Sequence, residues 1–253
     1  MNIGIAGYTG RVGQLLVGEL KSGTWSGLTL AAGSTRKIHP EHAAAEIFPV
    51  VDSMDDLCAA SDCVIDFTTP EGTKSLLDSA VNTNTALVIG TTGLDSAAEN
   101  AIRNAAGKIP IVYAANMSIG VNLLLALVEQ AASKLGPRWD IEIFESHHRN
   151  KIDAPSGTAL ALGKAAQAGR GKGDFTTADR SGKRADGSIG FAVSRGGDVV
   201  GEHMVTFYGM GERVELGHKA SDRSLFARGA LQAAQWIQGK PAGLYTMRDV
   251  LGL

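Results

Sequence analysis

The residues best suited to chemistry lie between Glu145 and Thr158, where two adjacent histidines, His147 and His148, are followed by Lys151, Asp153 and a Pro155-Ser156-Gly157-Thr158 turn. An imidazole with a reference pKa of about 6.5 changes charge near neutrality, whereas a lysine ammonium near 10.4 stays charged unless it is buried. The turn opens an alanine- and leucine-rich helix, and the free N–H groups near Gly157 and Thr158 offer an anion site. Together these groups make a pocket for a small acid. Upstream, Ile141 to Glu145 alternates as a half-buried strand does, so both histidines are expected to leave its end with the loop. Pro155 is expected where a first helical turn tolerates it, and Asp153 is expected to brace the loop or cap the helix. No metal is expected, because neighbouring side chains on an extended segment point to opposite faces and no nearby cysteine completes a ligand set. His203 and His218, in apparent strands, read as structural, and His39 and His42 as loop residues without a clear role.

Such a pocket needs a partner that delivers the chemistry. Asn2 to Ala6 reads as a short apolar strand, followed by Gly7-Tyr8-Thr9-Gly10-Arg11-Val12-Gly13 and a helical pattern through Leu15, Leu16 and Leu20. Glycines between a buried strand and a helix let the backbone approach a pyrophosphate, which the helix N-terminus then favours. The spacing alone is a weak signal, since glycines also make tight turns; the strand-first, helix-after context points to a dinucleotide site. After the second strand, at Leu28 to Ala32, an acidic residue would bond the ribose 2′-hydroxyl and repel a 2′-phosphate. The chain has Gly33-Ser34-Thr35-Arg36-Lys37 instead. Hydroxyls and cations favour NADPH, with NADH possible; the bland alternative is that Arg36 and Lys37 are solvated loop charges.

Three further strands end in small or hydroxyl-bearing residues: Asp66-Phe67-Thr68-Thr69, Gly90-Thr91-Thr92-Gly93 and Ala114-Ala115-Asn116-Met117-Ser118. Strands alternating with helices at this spacing predict an α/β fold, a Rossmann-like, doubly wound parallel sheet with ligands at the carboxyl ends of the strands. From Ser118 the organisation changes. A long apolar helix over 119–134 bridges two lobes, and strands near Ile141, 187–195, 199–208 and 212–219, the last three joined by Gly-rich hairpins, predict a smaller α+β domain on an open mixed sheet, antiparallel in large part. The Gly- and charge-rich stretch 170–186 is expected to be a surface excursion, 221–238 a closing helix and 243–251 a short tail.

Composition removes other classes. The 253 residues carry 24 Lys and Arg against 26 Asp and Glu, so no basic field points to nucleic acid or an anionic membrane. No apolar run approaches the roughly 20 residues of a membrane helix, and the first residues lack a basic, cleavable leader. Two cysteines, Cys58 and Cys63, suit a reducing compartment. These features predict a cytoplasmic protein with a small-molecule partner.

Across nearly its whole length the chain resembles the dihydrodipicolinate reductase family, also called 4-hydroxy-tetrahydrodipicolinate reductases, of diaminopimelate and lysine biosynthesis. The likeness rests on Gly7-x-x-Gly10-Arg11-x-Gly13, Asp66-Phe67-Thr68-x-Pro70-Glu71-Gly72, Gly90 to Gly93, Ala114 to Asn122, Gly201-Glu202-His203 and, most specifically, the string from Glu145 to Thr158. The resemblance implies NAD(P)H-dependent reduction of a cyclic dicarboxylate. It further implies a cofactor domain over 1–118 completed by about 220–253, a substrate-binding domain over 119–219, and a homotetramer associated through the mixed sheet. It gives His147 the role of proton donor or acceptor, Lys151 that of proton donor, and His148, Gly157 and Thr158 substrate contacts. Gly7, Tyr8, Thr9, Gly10, Arg11, Val12, Gly90, Thr91, Thr92, Ala114, Ala115, Asn116 and Met117 match cofactor contacts. One departure is Ser34-Thr35, where many members have an acidic residue followed by arginine. A dehydrogenase of an aspartate-derived semialdehyde or alcohol would lack the His147-to-Thr158 loop; a nucleotide-sensing module without turnover would not need His147 and Lys151.

Overall fold

The structure, a computed structural model, describes residues 1–36, 46–171, 173–176 and 181–253. Lys37, His39 and His42, and part of the 170–186 stretch, lie outside the described residues. The chain divides into one unit made of Met1–Ile119 with Arg223–Leu253 and a second made of Gly120–Asp222.

In the first unit, strands β1 (Asn2–Ala6), β2 (Thr29–Ser34), β3 (Val50–Val51), β4 (Cys63–Asp66), β5 (Ala86–Ile89), β6 (Pro110–Tyr113) and β12 (Gly243–Tyr245) form a parallel sheet in the order β12-β6-β5-β4-β1-β2-β3. Successive side chains alternate between two cores because helices cover both faces. Ile3, Ile5, Ile65 and Val88 pack with Ala227, Leu231 and Ala234 of the helix Ser224–Ile237. Val64, Leu87 and Ile89 pack with Leu57, Leu76 and Ile102 on the opposite side. Each fully buried side chain of this kind stabilises the unit by about 1.5–3 kcal/mol. Strand order reverses between β1 and β4, and the carboxyl ends of strands at such a point form a ligand crevice. Side chains cap the helices that follow β3, β4 and β5: Ser53 accepts from Asp56 N–H, Thr69 from Gly72 N–H and Asp95 from Ala98 N–H. The helix Arg11–Lys21 begins at Gly10 with no side-chain cap.

In the second unit, β7 (Asp140–His147), β8 (Phe175–Thr176), β9 (Ile189–Arg195), β10 (Gly201–Tyr208) and β11 (Arg213–Ala220) form a sheet ordered β11-β10-β7-β9-β8. The three hairpin-linked strands expected here need correction. Only β10 and β11 form a hairpin pair; β9 runs parallel to β7, which lies between β9 and β10. On β7, Ile141, Ile143, Glu145 and His147 form the buried series and Phe144 lies on the other face, 44% exposed. Ile141 and Ile143 join Leu124, Val128 and Ala132 of the helix Ile119–Leu135 and Ala159, Leu162 and Ala166 of the helix Gly157–Arg170 in one core. Within the 170–186 stretch, Arg184 donates to the Ile141 carbonyl at 2.9 Å and the Ser188 carbonyl at 2.7 Å.

Candidate functional site

Glu145 and His147 are buried because they continue the apolar alternation of β7, and strand register supplies their neighbours. His147 lies opposite Arg195 of β9, and Glu145 opposite His203 of β10. The Arg195 guanidinium donates to both Glu145 oxygens, at 2.8 Å each, and to the Asp153 carbonyl at 2.6 Å. His147 Nδ1 lies 2.6 Å from Glu145 Oε2. Ser156 donates its N–H to Glu145 Oε1 at 3.0 Å; its hydroxyl accepts from Ala159 N–H, capping the helix Gly157–Arg170, and meets His203 Nε2 at 2.9 Å. Pro155 therefore precedes the N-cap instead of standing in the first turn. Asp153 does not cap the helix; it holds Lys151, whose Nζ donates to its carboxylate at 2.7 Å. His147 closes β7, while half-buried His148 starts the turn in which Lys151 N–H reaches the His148 carbonyl.

Burial pushes the Glu145 carboxyl up, but the hydrogen bonds from Arg195, His147 and Ser156 N–H outweigh it, and the group titrates below its ordinary value. Burial lowers the His147 imidazole; the bond to Glu145 opposes this and the charges of Lys151 and Arg195 reinforce it, leaving a net fall. The Lys151 ammonium holds the Asp153 carboxyl low. The loop thus carries a fixed ammonium, a ring that is neutral near pH 7 and a helix start. Space is open over Gly157, at the start of the helix. This set can grip an anion and move one proton.

In the first unit, Gly7, Tyr8, Thr9, Gly10, Ser34 and Thr35 line one cavity of about 1140 Å³ together with Arg36, Asp52, Ser53, Met54, Asp55 and Phe67 to Thr69. The residues fit a dinucleotide. Gly7 has a positive φ of 67°, and a side chain on Gly13 would collide with the Gly7 carbonyl and the Tyr8 backbone, so the turn folds tightly onto an uncapped helix. Ser34 is 4% exposed and its hydroxyl accepts the Gly7 N–H at 3.2 Å, so it braces the glycine turn as well as lining the wall.

Gly90 to Thr92 follow β5 and Ala114 to Met117 follow β6, on the same carboxyl edge but outside the lining of that cavity. The Thr91 hydroxyl is buried without a hydrogen-bond partner, which suits a ligand at this edge. Arg11 is exposed, Val12 packs towards the core, and Met117 is fully buried in it. Arg195 and His203 are neighbours of His147 that the sequence pattern does not point to. A charged residue at the buried parity of β7 was the available signal, since it demands a partner. Asp52 and Asp55 were missed because β3 has two residues. Among the described residues no group of three or more His, Cys, Asp or Glu could hold a metal ion, and no described helix is long and apolar enough to cross a membrane.

Comparison with known proteins agrees with both units. Residues 1–117 match the family described as dihydrodipicolinate reductase, N-terminus, and residues 120–251 its C-terminus. The 4-hydroxy-tetrahydrodipicolinate reductase of Zymomonas mobilis is 47% identical over 258 residues, covering 100% of this chain and 98% of that protein. That of Granulibacter bethesdensis is 48% identical over 260 residues, covering 100% and 97%. The solved structure of a dipicolinate-bound dihydrodipicolinate reductase from Paenisporosarcina sp. TG-14 shares the fold with a TM-score of 0.82 at 24% identity, over 97% of each chain. With both halves matched and such relatives aligned end to end, the chain belongs to the dihydrodipicolinate reductase family.

Proposed function

We propose that this chain reduces 4-hydroxy-tetrahydrodipicolinate, by way of dihydrodipicolinate, to tetrahydrodipicolinate, with NADPH as the preferred donor and NADH as a possible one. NAD(P)H-dependent reduction in diaminopimelate and lysine biosynthesis is the activity of the family, and the chain is an oxidoreductase of that kind. The observation that supports the mechanism is that Arg195 joins Glu145, the partner of His147, to the carbonyl of Asp153, whose side chain holds Lys151, beside the helix that starts at Gly157.

When bound, the nicotinamide supplies a hydride to the unsaturated ring. The first unit would hold it through the glycine turn and the strand ends at Gly90 to Thr92 and Ala114 to Met117, and Arg36 would take the 2′-phosphate. The second unit holds the dicarboxylate. One carboxylate rests on the N–H groups of Gly157 and Thr158, the other on His148. Lys151 stabilises the negative charge that develops in the ring and donates the proton that quenches it. His147 acts as acid or base, a role worth about 10²- to 10⁴-fold in rate. The second unit also assembles a homotetramer: the face of its sheet turned away from the helices exposes Phe144 and Tyr208, which suits self-association. The two cysteines, free and buried, fit the reducing cytoplasm.

The test is loss of NADPH absorbance on addition of freshly made 4-hydroxy-tetrahydrodipicolinate, with dipicolinate as a competing planar dicarboxylate. No consumption of NADPH or NADH under conditions where a known reductase works would overturn the reading.

A further inference from the structure

We infer that Glu145, clamped by Arg195, is a positioning residue that sets two parts of the substrate loop at once. One carboxylate oxygen decides which ring nitrogen of His147 carries the proton, and the other holds the helix start at Ser156. The assignment rests on His147 handling a proton, as proposed above, and adds what makes it able to do so.

Glu145 is 0% exposed and receives the forked Arg195 guanidinium at 2.8 Å on each oxygen. A guanidinium in such a fork keeps the carboxylate ionised, and an ionised carboxylate can only accept. The hydrogen in the 2.6 Å contact with His147 Nδ1 therefore belongs to the imidazole. With Nδ1–H committed to Glu145, the neutral ring presents its lone pair at Nε2. That nitrogen faces Gly201, where a side chain would come to 3.0 Å of it, so only glycine leaves this edge of the ring uncrowded. His147 then accepts a proton at Nε2 and, once charged, donates it from the same place.

The second oxygen, Oε1, takes Ser156 N–H at 3.0 Å. Ser156 caps the helix that begins at Gly157, so the carboxylate that orients the imidazole also anchors the turn presenting the Gly157 and Thr158 N–H groups. Arg195 also reaches the carbonyl of Asp153, whose side chain holds Lys151. Stability alone does not account for the pair. Buried ion pairs are commonly no better than apolar pairs of equal volume, and the same strand face already carries Ile141 and Ile143.

The substitution Glu145→Gln reads the claim directly. Two fixed donors, Arg195 Nη2 and Ser156 N–H, point at the Oε1 position against one, Arg195 Nη1, at Oε2, so the introduced amide turns its oxygen to the first and its NH2 group towards His147. Nδ1 must then accept, and the ring proton moves to Nε2. We would measure the ring-nitrogen NMR shifts of His147 in labelled, substrate-free protein above the pH at which it titrates. The expected result is protonated Nδ1 and bare Nε2 in the wild type, the reverse in Glu145→Gln, and the wild-type pattern in Glu145→Asp. Turnover of Glu145→Gln is expected to fall about 100-fold with a displaced pH profile and an unchanged KM for NADPH. A wild-type ring protonated at Nε2 overturns the inference even if the Gln variant does not fold. So does a folded Gln variant that keeps Nδ1–H, or that loses turnover with its pH profile unmoved. The NMR reading needs no substrate, so a failure of the proposed reaction leaves this result standing, and the reverse also holds.

Discussion

His203 makes the second unit sensitive to acid in a way that can be calculated. Its ring sits on β10 between Glu145 of β7 and His218 of β11, 5% exposed, with Nε2 at 2.9 Å from the Ser156 hydroxyl and Nδ1 buried without a hydrogen-bond partner. Burial is the main cause that drives its pKa down to about 4; the charges of His147, His218 and Lys151 add to it, and Glu145 opposes it. The unfolded chain titrates near 6.5, so between about pH 6.5 and 4 it binds a proton that the native state refuses, and stability falls as pH falls. At 1.36 kcal/mol per pKa unit the full penalty is about 3.4 kcal/mol, of which about 2.5 kcal/mol develops between pH 7 and 4.5. Glu145 and Asp153, both held low, add their own loss only as pH falls below the ordinary carboxylate range towards their folded values. The assay is urea unfolding followed by Trp139 fluorescence, the tryptophan of this unit, with Trp25 and Trp236 replaced by Phe. In His203→Gln, whose amide can keep the bond to Ser156, the drop from pH 7 to 4.5 is expected to be smaller by about 2.5 kcal/mol. His147 and His218 titrate in both proteins, so only their coupling to His203 enters the difference. Parallel pH curves, within about 0.5 kcal/mol, would show that the native ring takes up its proton as readily as the unfolded one and that the reasoning is wrong.

Four other outcomes are expected. Lys151→Ala cuts kcat by about 10²- to 10⁴-fold and leaves the Kd for NADPH, measured by fluorescence titration, nearly unchanged; ordinary turnover would make the lysine incidental. Arg36→Ala raises the KM for NADPH and leaves that for NADH alone, and equal effects on both would remove Arg36 from the 2′-phosphate. Arg195→Met leaves the Glu145 carboxylate buried without its cation and costs about 3–5 kcal/mol in urea unfolding; a loss below about 1 kcal/mol would mean that the pair is dispensable. Phe144→Asp places a charge on the open sheet face and shifts the protein to smaller species in sedimentation, whereas an unchanged mass would move the interface elsewhere.

The two units differ in how much of them shows in the chain. Parallel strands covered on both sides appear as unbroken apolar runs, such as Cys63-Val64-Ile65 and Leu87-Val88-Ile89, and each ends in its turn residues, so the first sheet was legible. β12 was not, because three residues at Gly243–Tyr245 carry no period. The short Gly-rich link between β9 and β10 looks like a hairpin, and nothing local shows that β7, some fifty residues upstream, lies between them. The same limit applied to the site. His147 and Lys151 announce themselves by type, but the Glu145–Arg195 pair and the place of His203 are facts of register, available only once β7 has neighbours on both sides.

Register also bears on the choice of cofactor. The preference for NADPH was argued from the lack of an acid directly after β2, where Ser34 and Thr35 stand. A parallel sheet, however, brings the carboxyl end of each strand beside that of the next, so an acid need not come from β2 itself. β3 pairs with Gly33 and Ser34 and is followed by Asp52 and Asp55, both in the wall of the same cavity as Arg36. Among the described residues the cavity wall thus carries the carboxylates Asp52, Asp55 and Glu71 beside the cation Arg36, so the first residue after the strand need not decide the preference. The replacement Asp52→Asn separates the two accounts. If the carboxylates oppose the phosphate, the ratio of kcat/KM for NADPH over NADH rises; if Arg36 alone decides, the ratio stays where it was.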